Sequence, residues 1–165
     1  MEKEHKIPST YETIAGALTV ALFITIRLLE RGENQSLRWL GVGCLLLGGV
    51  LLFPPLFAMR KYGRPDPQKG LMHTTEVVER GPFALVRHPQ YVSYMLLNLG
   101  FTLISQRWPA VALGAAAILF FILQAMAEEK QLAIKFGERY RNYCRRVPRF
   151  NLPLGMVRYV RRRRR

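Results

Sequence analysis

The chain has little cysteine, little histidine and few acidic residues. Of its 165 residues, two are Cys, three are His and 11 are Asp or Glu, against 25 Lys and Arg. Cys44 falls in an apolar run and Cys144 in a basic segment, and no ligand spacing accompanies them, so we expect neither a disulfide nor a metal site. No small-residue cleavage pattern follows the first apolar run. We therefore expect this run to remain as a membrane helix rather than to be removed as a signal peptide.

Long uncharged apolar runs are what the chain has in abundance. Residues 40–59 and 108–127 are each twenty residues without a charge, the length that crosses a hydrocarbon core of about 30 Å. Shorter uncharged runs cover residues 13–26 and 91–106. The sequence therefore predicts an all-α integral membrane protein with about four transmembrane helices. The predicted spans are residues 13–29, 37–59, 91–106 and 108–127.

Lys and Arg are distributed unevenly around these spans. Two precede the first span, six lie in the second loop and thirteen follow the fourth span, whereas three belong to the opposite side. By the positive-inside rule, both termini and the second loop are predicted to be cytoplasmic. This topology, with attraction to anionic lipid headgroups, accounts for the net charge of +14. No fold or aromatic platform for nucleic acid is evident, so we interpret the basic tail at residues 154–165 as an anchor.

The third span carries a polar face. Its polar side chains are three or four residues apart and therefore share one side of a helix; they are Tyr91, Tyr94, Asn98, Thr102 and Ser105. In lipid such a face must turn toward protein or a cavity. Two interpretations stay open for Asn98 and Thr102, namely hydrogen bonds between helices or the lining of a site. We interpret Tyr91, which is nearest the loop, as a site residue.

The fourth span ends at two adjacent carboxylates, Glu128 and Glu129. Gln124 lies one turn before Glu128 on the same face of the helix, whereas Glu129 points about 100° away. The geometry therefore favours Glu128 as the inward carboxylate and as the partner of His88 and Tyr91.

Residues 128–147 are predicted to continue as an amphipathic helix at the membrane surface. Its apolar stripe consists of Leu132, Phe136, Tyr140, Tyr143 and Val147. Gly137 is the predicted bend of this helix, and Pro148 is its predicted end.

Proline and glycine set expectations for the second span. Pro54 and Pro55 are expected to kink or end the helix near its cytoplasmic end. Four glycines either allow close contact with a neighbouring helix or are ordinary membrane-helix glycines; they are Gly41, Gly43, Gly48 and Gly49.

Several short motifs occur together after the second span. They are Gly81-Pro82-Phe83, Val86-Arg87-His88-Pro89-Gln90-Tyr91, Glu128-Glu129, Phe136-Gly137-Glu138-Arg139-Tyr140, Tyr143 and Arg146-Val147-Pro148. In this order and spacing they resemble the isoprenylcysteine carboxyl methyltransferase family. That family belongs with the phospholipid methyltransferases among small membrane enzymes that use S-adenosylmethionine. The resemblance covers about residues 60–153.

The resemblance implies a cofactor pocket that faces the cytoplasm and is made by the long loop and the last two helices. The cofactor-binding positions are Gln68, Thr75, Glu76, Val77, Val78, Phe83, His88, Pro89, Gln90, Tyr91 and Glu128. Glu128 and Tyr91 are also the predicted catalytic residues. Gln124 takes the position that contacts the acceptor, and we add Tyr94 and Asn98 from the polar face of the third span.

The predicted function is S-adenosylmethionine-dependent methyl transfer to a membrane-embedded or amphiphilic acceptor. The acceptor is a prenylcysteine-like carboxylate, a phospholipid amine or another lipophilic group. A carboxylate or thiolate acceptor needs no general base, whereas an amine must lose a proton, for which Glu128 or a tyrosine is a candidate.

Two positions depart from the family pattern. Gln124 stands where the eukaryotic carboxyl methyltransferases have an Arg, and Phe83 stands where Tyr is usual. One alternative is a nicotinamide-dependent membrane reductase, a class with a similar closing motif in which Asn stands in place of Gln90. A second alternative is a non-catalytic membrane protein of the same fold.

Overall fold

The computed structural model describes residues 10–64 and 74–164, and its regular elements are helices. They are α1 (Thr10–Leu28), α2 (Gln35–Tyr62), a short 3-10 helix (Gly81–Ala84), α3 (Pro89–Ser105), α4 (Trp108–Arg146) and α5 (Leu152–Arg163). The predicted all-α membrane fold is confirmed. No strand occurs among the described residues, and residues 75–78 are irregular.

Three described helices are long and apolar enough to cross a membrane, namely α1, α2 and α4. Helix α3 has 17 residues. At 1.5 Å per residue it is about 25 Å long, slightly less than the hydrocarbon core. The third predicted span is therefore a helix, and the count of four spans stays a prediction.

The described chain divides into two compact units. The first combines the described residues up to Val50 with Tyr91–Glu129, and the second combines Leu51–Gln90 with the chain from Lys130 onward. The first unit thus contains α1 and the apolar part of α4. The second contains the 3-10 helix and α5.

Helices α2 and α3 pack closely in the first unit. A Cβ at Gly41 would lie 2.8 Å from the carbonyl oxygen of Gly100, and a Cβ at Gly100 would lie 2.8 Å from that of Gly41. Gly48 also meets α3, at 3.1 Å, whereas a Cβ at Gly43 or Gly49 would find no heavy atom within 4 Å. Of the two interpretations, close contact is confirmed for Gly41 and Gly48, whereas Gly43 and Gly49 are ordinary membrane-helix glycines.

The turn between α1 and α2 is hydrogen-bonded to the turn between α3 and α4. The backbone N–H of Gly32 donates to the carbonyl of Ser105 at 3.0 Å. The side chain of Gln106 accepts from the Asn34 N–H at 3.0 Å and donates to the Asn34 carbonyl at 2.8 Å. The two turns therefore lie at one end of the first unit, as a pair of antiparallel hairpins requires.

Helix α2 continues through Pro54 and Pro55 to Tyr62. The prediction that these prolines end the helix is therefore wrong, and the predicted kink stays a prediction. Each proline removes one backbone hydrogen bond, but the N–H groups that follow can resume the helical pattern, and neighbouring protein can stabilise the interruption. Pro55 is fully buried, which is consistent with such support.

Helix α4 bends where the sequence predicted. Gly137 has φ 55° and ψ −132° between two helical stretches, a conformation that favours glycine. On both sides of the bend, the apolar stripe of the amphipathic helix packs on Val77 of the irregular segment. The buried and partly buried members of this cluster are Val77, Leu132, Ala133, Phe136, Tyr140, Tyr143, Cys144 and Val147. The stripe therefore has a protein partner.

The segment interpreted as a basic tail is largely helical. Helix α5 begins at Leu152, and the side chain of Asn151 accepts a hydrogen bond from the Leu154 N–H at 2.9 Å. This is the usual N-cap arrangement, and Pro153 occupies the first turn, where a proline costs no hydrogen bond.

The contact between α2 and α3 predicts the effect of a single added methyl group. Gly41→Ala places a Cβ against a backbone oxygen that can yield only if α3 shifts, so we expect a loss of about 1–3 kcal/mol in stability. A lower midpoint of thermal unfolding in detergent would measure it. Gly43→Ala is the matched control and should keep or raise the midpoint, because alanine favours a helix. Equal midpoints for both variants would contradict the contact.

Candidate functional site

A buried tyrosine is paired with a half-buried carboxylate in the first unit. Tyr91, in the first turn of α3, is 5% exposed, and its side chain shares a hydrogen bond with that of Glu128. Glu128 lies where the apolar part of α4 ends. This agrees with the helix geometry, which favoured Glu128 over Glu129 as the carboxylate that faces Tyr91.

Aromatic rings and a second carboxylate surround this pair. The centroid of the Tyr91 ring lies 6.2 Å from that of Tyr94 and 6.0 Å from that of Phe121, and the latter two are 5.1 Å apart. Glu12, in the first turn of α1, interacts electrostatically with Tyr91 and Glu128. We call these five residues the Tyr91 cluster. Two carboxylates beside three aromatic rings form an environment that favours a cation.

Two buried amides of the first unit differ in their partners. Asn98 and Gln124 are each 1% exposed. The amide nitrogen of Asn98 donates to the Tyr94 carbonyl at 2.9 Å, and its oxygen accepts from the Thr19 hydroxyl at 3.1 Å. The amide oxygen of Gln124 is buried without a hydrogen-bond partner in the described part of the chain. Asn98 is thus committed to helix packing, whereas Gln124 presents an open acceptor.

The polar face of α3 is structural beyond its first turns. The Thr102 hydroxyl donates to the Asn98 carbonyl at 2.8 Å and lies 3.4 Å from the Ala110 carbonyl of α4. Ser105 is buried as well. Of the two interpretations left open for Asn98 and Thr102, hydrogen bonding within the protein is the one that the structure shows. The assignment of Asn98 to the acceptor stays a prediction.

In the second unit, His88 is buried and fixed before α3 begins. Its backbone N–H donates to the Arg149 carbonyl at 3.3 Å, and its ring centroid lies 6.0 Å from that of Phe150. Pro89 and Gln90 follow as the first residues of α3. The predicted cofactor motif is therefore a fixed turn with a buried imidazole.

The predicted cofactor segment at residues 75–78 is held by the chain around it. The N–H groups of Thr75 and Glu76 donate to the Gly63 carbonyl at 3.0 and 3.3 Å. The side chains of Val77 and Val78 are buried. The N–H groups of Thr75 and Glu76 are therefore already used within the chain. A cofactor would contact this segment through its backbone carbonyl groups or through the backbone of Val77 and Val78.

Phe83 is positioned by α4, because its carbonyl accepts a hydrogen bond from the Tyr143 hydroxyl at 2.7 Å.

Gln68, a further predicted cofactor contact, lies outside the described residues. Cys44 and Cys144 are both free. Within residues 10–64 and 74–164 there is no group of three or more His, Cys, Asp or Glu residues that could hold a metal ion.

Sequence reasoning missed two members of the Tyr91 cluster. Phe121 precedes Gln124 by three residues and Glu128 by seven, so the spacing that placed these two on one face also included Phe121. Glu12 had the weaker signal of a lone carboxylate at the border of an uncharged run. Its role depends on the packing of α1, which the sequence does not show.

These helices and the tyrosine–carboxylate pair define a small helical membrane protein with a partly buried ionisable site. The family model described as phospholipid methyltransferase matches residues 36–139, which include Tyr91 and Glu128. The chain belongs to the phospholipid methyltransferase family, and the resemblance seen in the motifs is confirmed.

One curated relative is protein-S-isoprenylcysteine O-methyltransferase of Homo sapiens. It is 27% identical over 142 residues, which cover 83% of this chain and 50% of the relative. This chain thus spans about half the length of that relative. No solved structure matches the chain.

The two buried amides predict opposite responses to apolar substitution. Asn98→Leu removes two hydrogen bonds and leaves the Thr19 hydroxyl without its partner on α3, so we expect a loss of about 1–3 kcal/mol in stability. Gln124→Met, the companion variant, removes an oxygen that has no partner and should keep or raise the unfolding midpoint in detergent. A loss for Gln124→Met as large as that for Asn98→Leu would show that the Gln124 oxygen supports the fold.

Proposed function

We propose that the protein transfers a methyl group from S-adenosylmethionine to a lipophilic acceptor in the membrane. The observation that carries the proposal is the Tyr91 cluster, in which a half-buried carboxylate is hydrogen-bonded to a buried tyrosine at the start of α3. Membership of the phospholipid methyltransferase family supports the reaction class. The name of the curated relative, an O-methyltransferase, supports it further.

The chemistry of the Tyr91 cluster fits this methyl donor. S-adenosylmethionine supplies a methyl group attached to a positively charged sulfur. Glu12 and Glu128 balance a positive charge, and the faces of the aromatic rings attract a cation, both more strongly at a partly buried site than in water. A nicotinamide dinucleotide carries anionic phosphates, which the same carboxylates repel. The cluster therefore favours the methyl donor over the cofactor of a reductase.

We assign further donor contacts to the second unit, at His88, Phe83 and the backbone of residues 75–78. The His88 imidazole is buried beside Phe150, and the Phe83 backbone is held by Tyr143. Both groups are thus ordered before a ligand binds, which lowers the entropy lost on binding.

The acceptor is proposed to be a lipophilic amine, such as a phospholipid headgroup, rather than a carboxylate. The neutral Gln124 cannot form the charged, two-pronged contact that an arginine makes with a carboxylate. Its open oxygen can instead accept a hydrogen bond from an N–H group. An amine must also lose a proton when it is methylated, and Glu128 is the carboxylate available to take it.

The proposed orientation places both termini and the site on the cytoplasmic side. The basis is the excess of Lys and Arg before α1, between α2 and α3, and after the apolar part of α4. A water-soluble donor would then arrive from the cytoplasm, while the acceptor would come from the membrane.

Calorimetry on the purified protein in detergent tests the donor. We expect saturable binding of S-adenosylmethionine and none of reduced nicotinamide dinucleotide. His88→Ala and Glu128→Ala should each abolish donor binding. Glu138→Ala removes an exposed α4 carboxylate paired with Arg141 and should retain it. If folded wild-type protein bound neither cofactor, the enzyme proposal would be wrong; if both site variants kept full affinity, the donor would bind elsewhere.

Transfer of a labelled methyl group into a total lipid extract tests the acceptor. We expect label in amine-bearing phospholipids, and we expect Gln124→Arg to reduce this product at least about tenfold, because a guanidinium repels a protonated amine. Gln124→Met should lose less, since it adds no charge. Label that mild base releases as volatile methanol, which identifies a methyl ester, would contradict the amine assignment while leaving methyl transfer intact.

A further inference from the structure

Helix α5 is held against the second unit by one face. Gly155 is buried, and a Cβ there would overlap the carbonyl oxygen of Leu85, so the approach requires glycine. About two turns later, the Arg162 guanidinium donates to the carbonyls of Ala84 at 2.8 Å and Arg146 at 2.9 Å. These contacts fix the rotation of α5 about its axis.

The opposite face of α5 is exposed and combines apolar side chains with arginines. Met156, Val157 and Val160 are 57%, 49% and 46% exposed. Arg161 and Arg164 line the same surface. Positions 157 and 164 lie within about 20° of the direction opposite Gly155, and positions 160 and 161 lie within about 60° of it on either side, so the four share one face of the helix. We call this surface the outer face of α5.

The segment that carries the outer face is positively charged and contains no acidic residue to balance that charge. From Val147 to Arg165 the sequence contains seven arginines and no Asp or Glu. Three acidic residues of the second unit pair with cations elsewhere: Glu76 with Arg64, Glu79 with Arg146 and Glu138 with Arg141. The arginines of the outer face are therefore suited to an anionic partner from outside the chain.

We propose that the outer face of α5 binds the surface of an anionic lipid bilayer. Exposed apolar side chains enter the boundary between headgroups and acyl chains, while the guanidinium groups bind lipid phosphates. Arginine suits such a face, because its stem covers apolar surface while its charge stays hydrated. The amphipathic composition thus matches both layers of the bilayer surface.

A bilayer fits this face better than a nucleic acid does. A nucleic acid would engage the arginines through phosphate contacts but would leave Met156, Val157 and Val160 exposed to water. The chain also has helices long and apolar enough to cross a membrane. A bilayer is therefore tethered to the same molecule, which raises its effective concentration at α5 above that of any free partner.

A fluorescent reporter on the outer face tests the proposal with the full chain in lipid nanodiscs. Val157→Cys, in a background of Cys44→Ala and Cys144→Ala, carries an environment-sensitive dye. Discs contain phosphatidylcholine alone or phosphatidylcholine with phosphatidylglycerol. With the anionic lipid we expect a blue shift of the emission and protection from a soluble quencher. High salt should reverse the response, because it screens exposed charges.

Two paired substitutions separate the outer face from net charge. Arg161→Gln with Arg164→Gln should weaken the partition of α5 to the anionic surface by about fivefold per arginine and so remove most of the shift. Arg141→Gln with Arg145→Gln removes the same charge from exposed positions of α4 and should leave the shift in place.

Three results would overturn the proposal. The first is the same emission and quenching in the two kinds of disc. The second is an equal loss of the shift in both pairs of variants, which would assign the effect to net charge alone. The third is protection of the dye by added RNA or an acidic peptide but not by the anionic lipid, which would assign the face to a macromolecular partner.

Discussion

Polar groups within a hydrocarbon layer must find their partners inside the protein, and this constraint accounts for most of the first unit. Helix α3 meets it by turning its polar side toward α1 and α4, where Asn98 bonds with Thr19 and Thr102 lies beside the Ala110 carbonyl. Toward the start of α3 the partner of Tyr91 is a carboxylate instead of a backbone carbonyl. One helix face therefore serves the fold along most of its length and presents ionisable chemistry at its end.

In the second unit, a segment without regular structure is fixed by the helices around it. The amphipathic end of α4 supplies an apolar surface, and Val77 of the irregular segment is buried against it. Tyr143, on the same helix, holds the Phe83 carbonyl, and Arg162 holds the neighbouring Ala84 carbonyl. The segment with the motifs of the methyltransferase family is thus held in place by side chains from the C-terminal part of the chain.

Helix periodicity explains which of these features the sequence could predict. The shared face of Tyr91 and Asn98, the choice of Glu128 over Glu129 and the bend at Gly137 all follow from local spacing or local backbone preference. Pro54 and Pro55 do not end α2, because a proline removes only its own backbone hydrogen bond and neighbouring protein can support the interruption. Glu12 joins its partners through tertiary packing, which a single sequence does not show. Helix α5 was not predicted, because its many arginines were interpreted as a basic tail. Asn151 followed by a proline two residues later is nevertheless a typical helix N-terminus.

The hydrogen bonds between the two turns of the first unit bear on the order in which the chain is assembled. Asn34 and Gln106 are 72 residues apart, so the first helical hairpin is synthesised long before its partner. Until the second hairpin is made, Gly32 and Asn34 lack these hydrogen-bond partners. The hydrogen bonds form only when Ser105 and Gln106 lie at the same level along the helix axes as Gly32 and Asn34. A second hairpin displaced along the helix axes would leave the donors and acceptors of both turns unmatched. These hydrogen bonds therefore favour a single alignment of the two hairpins.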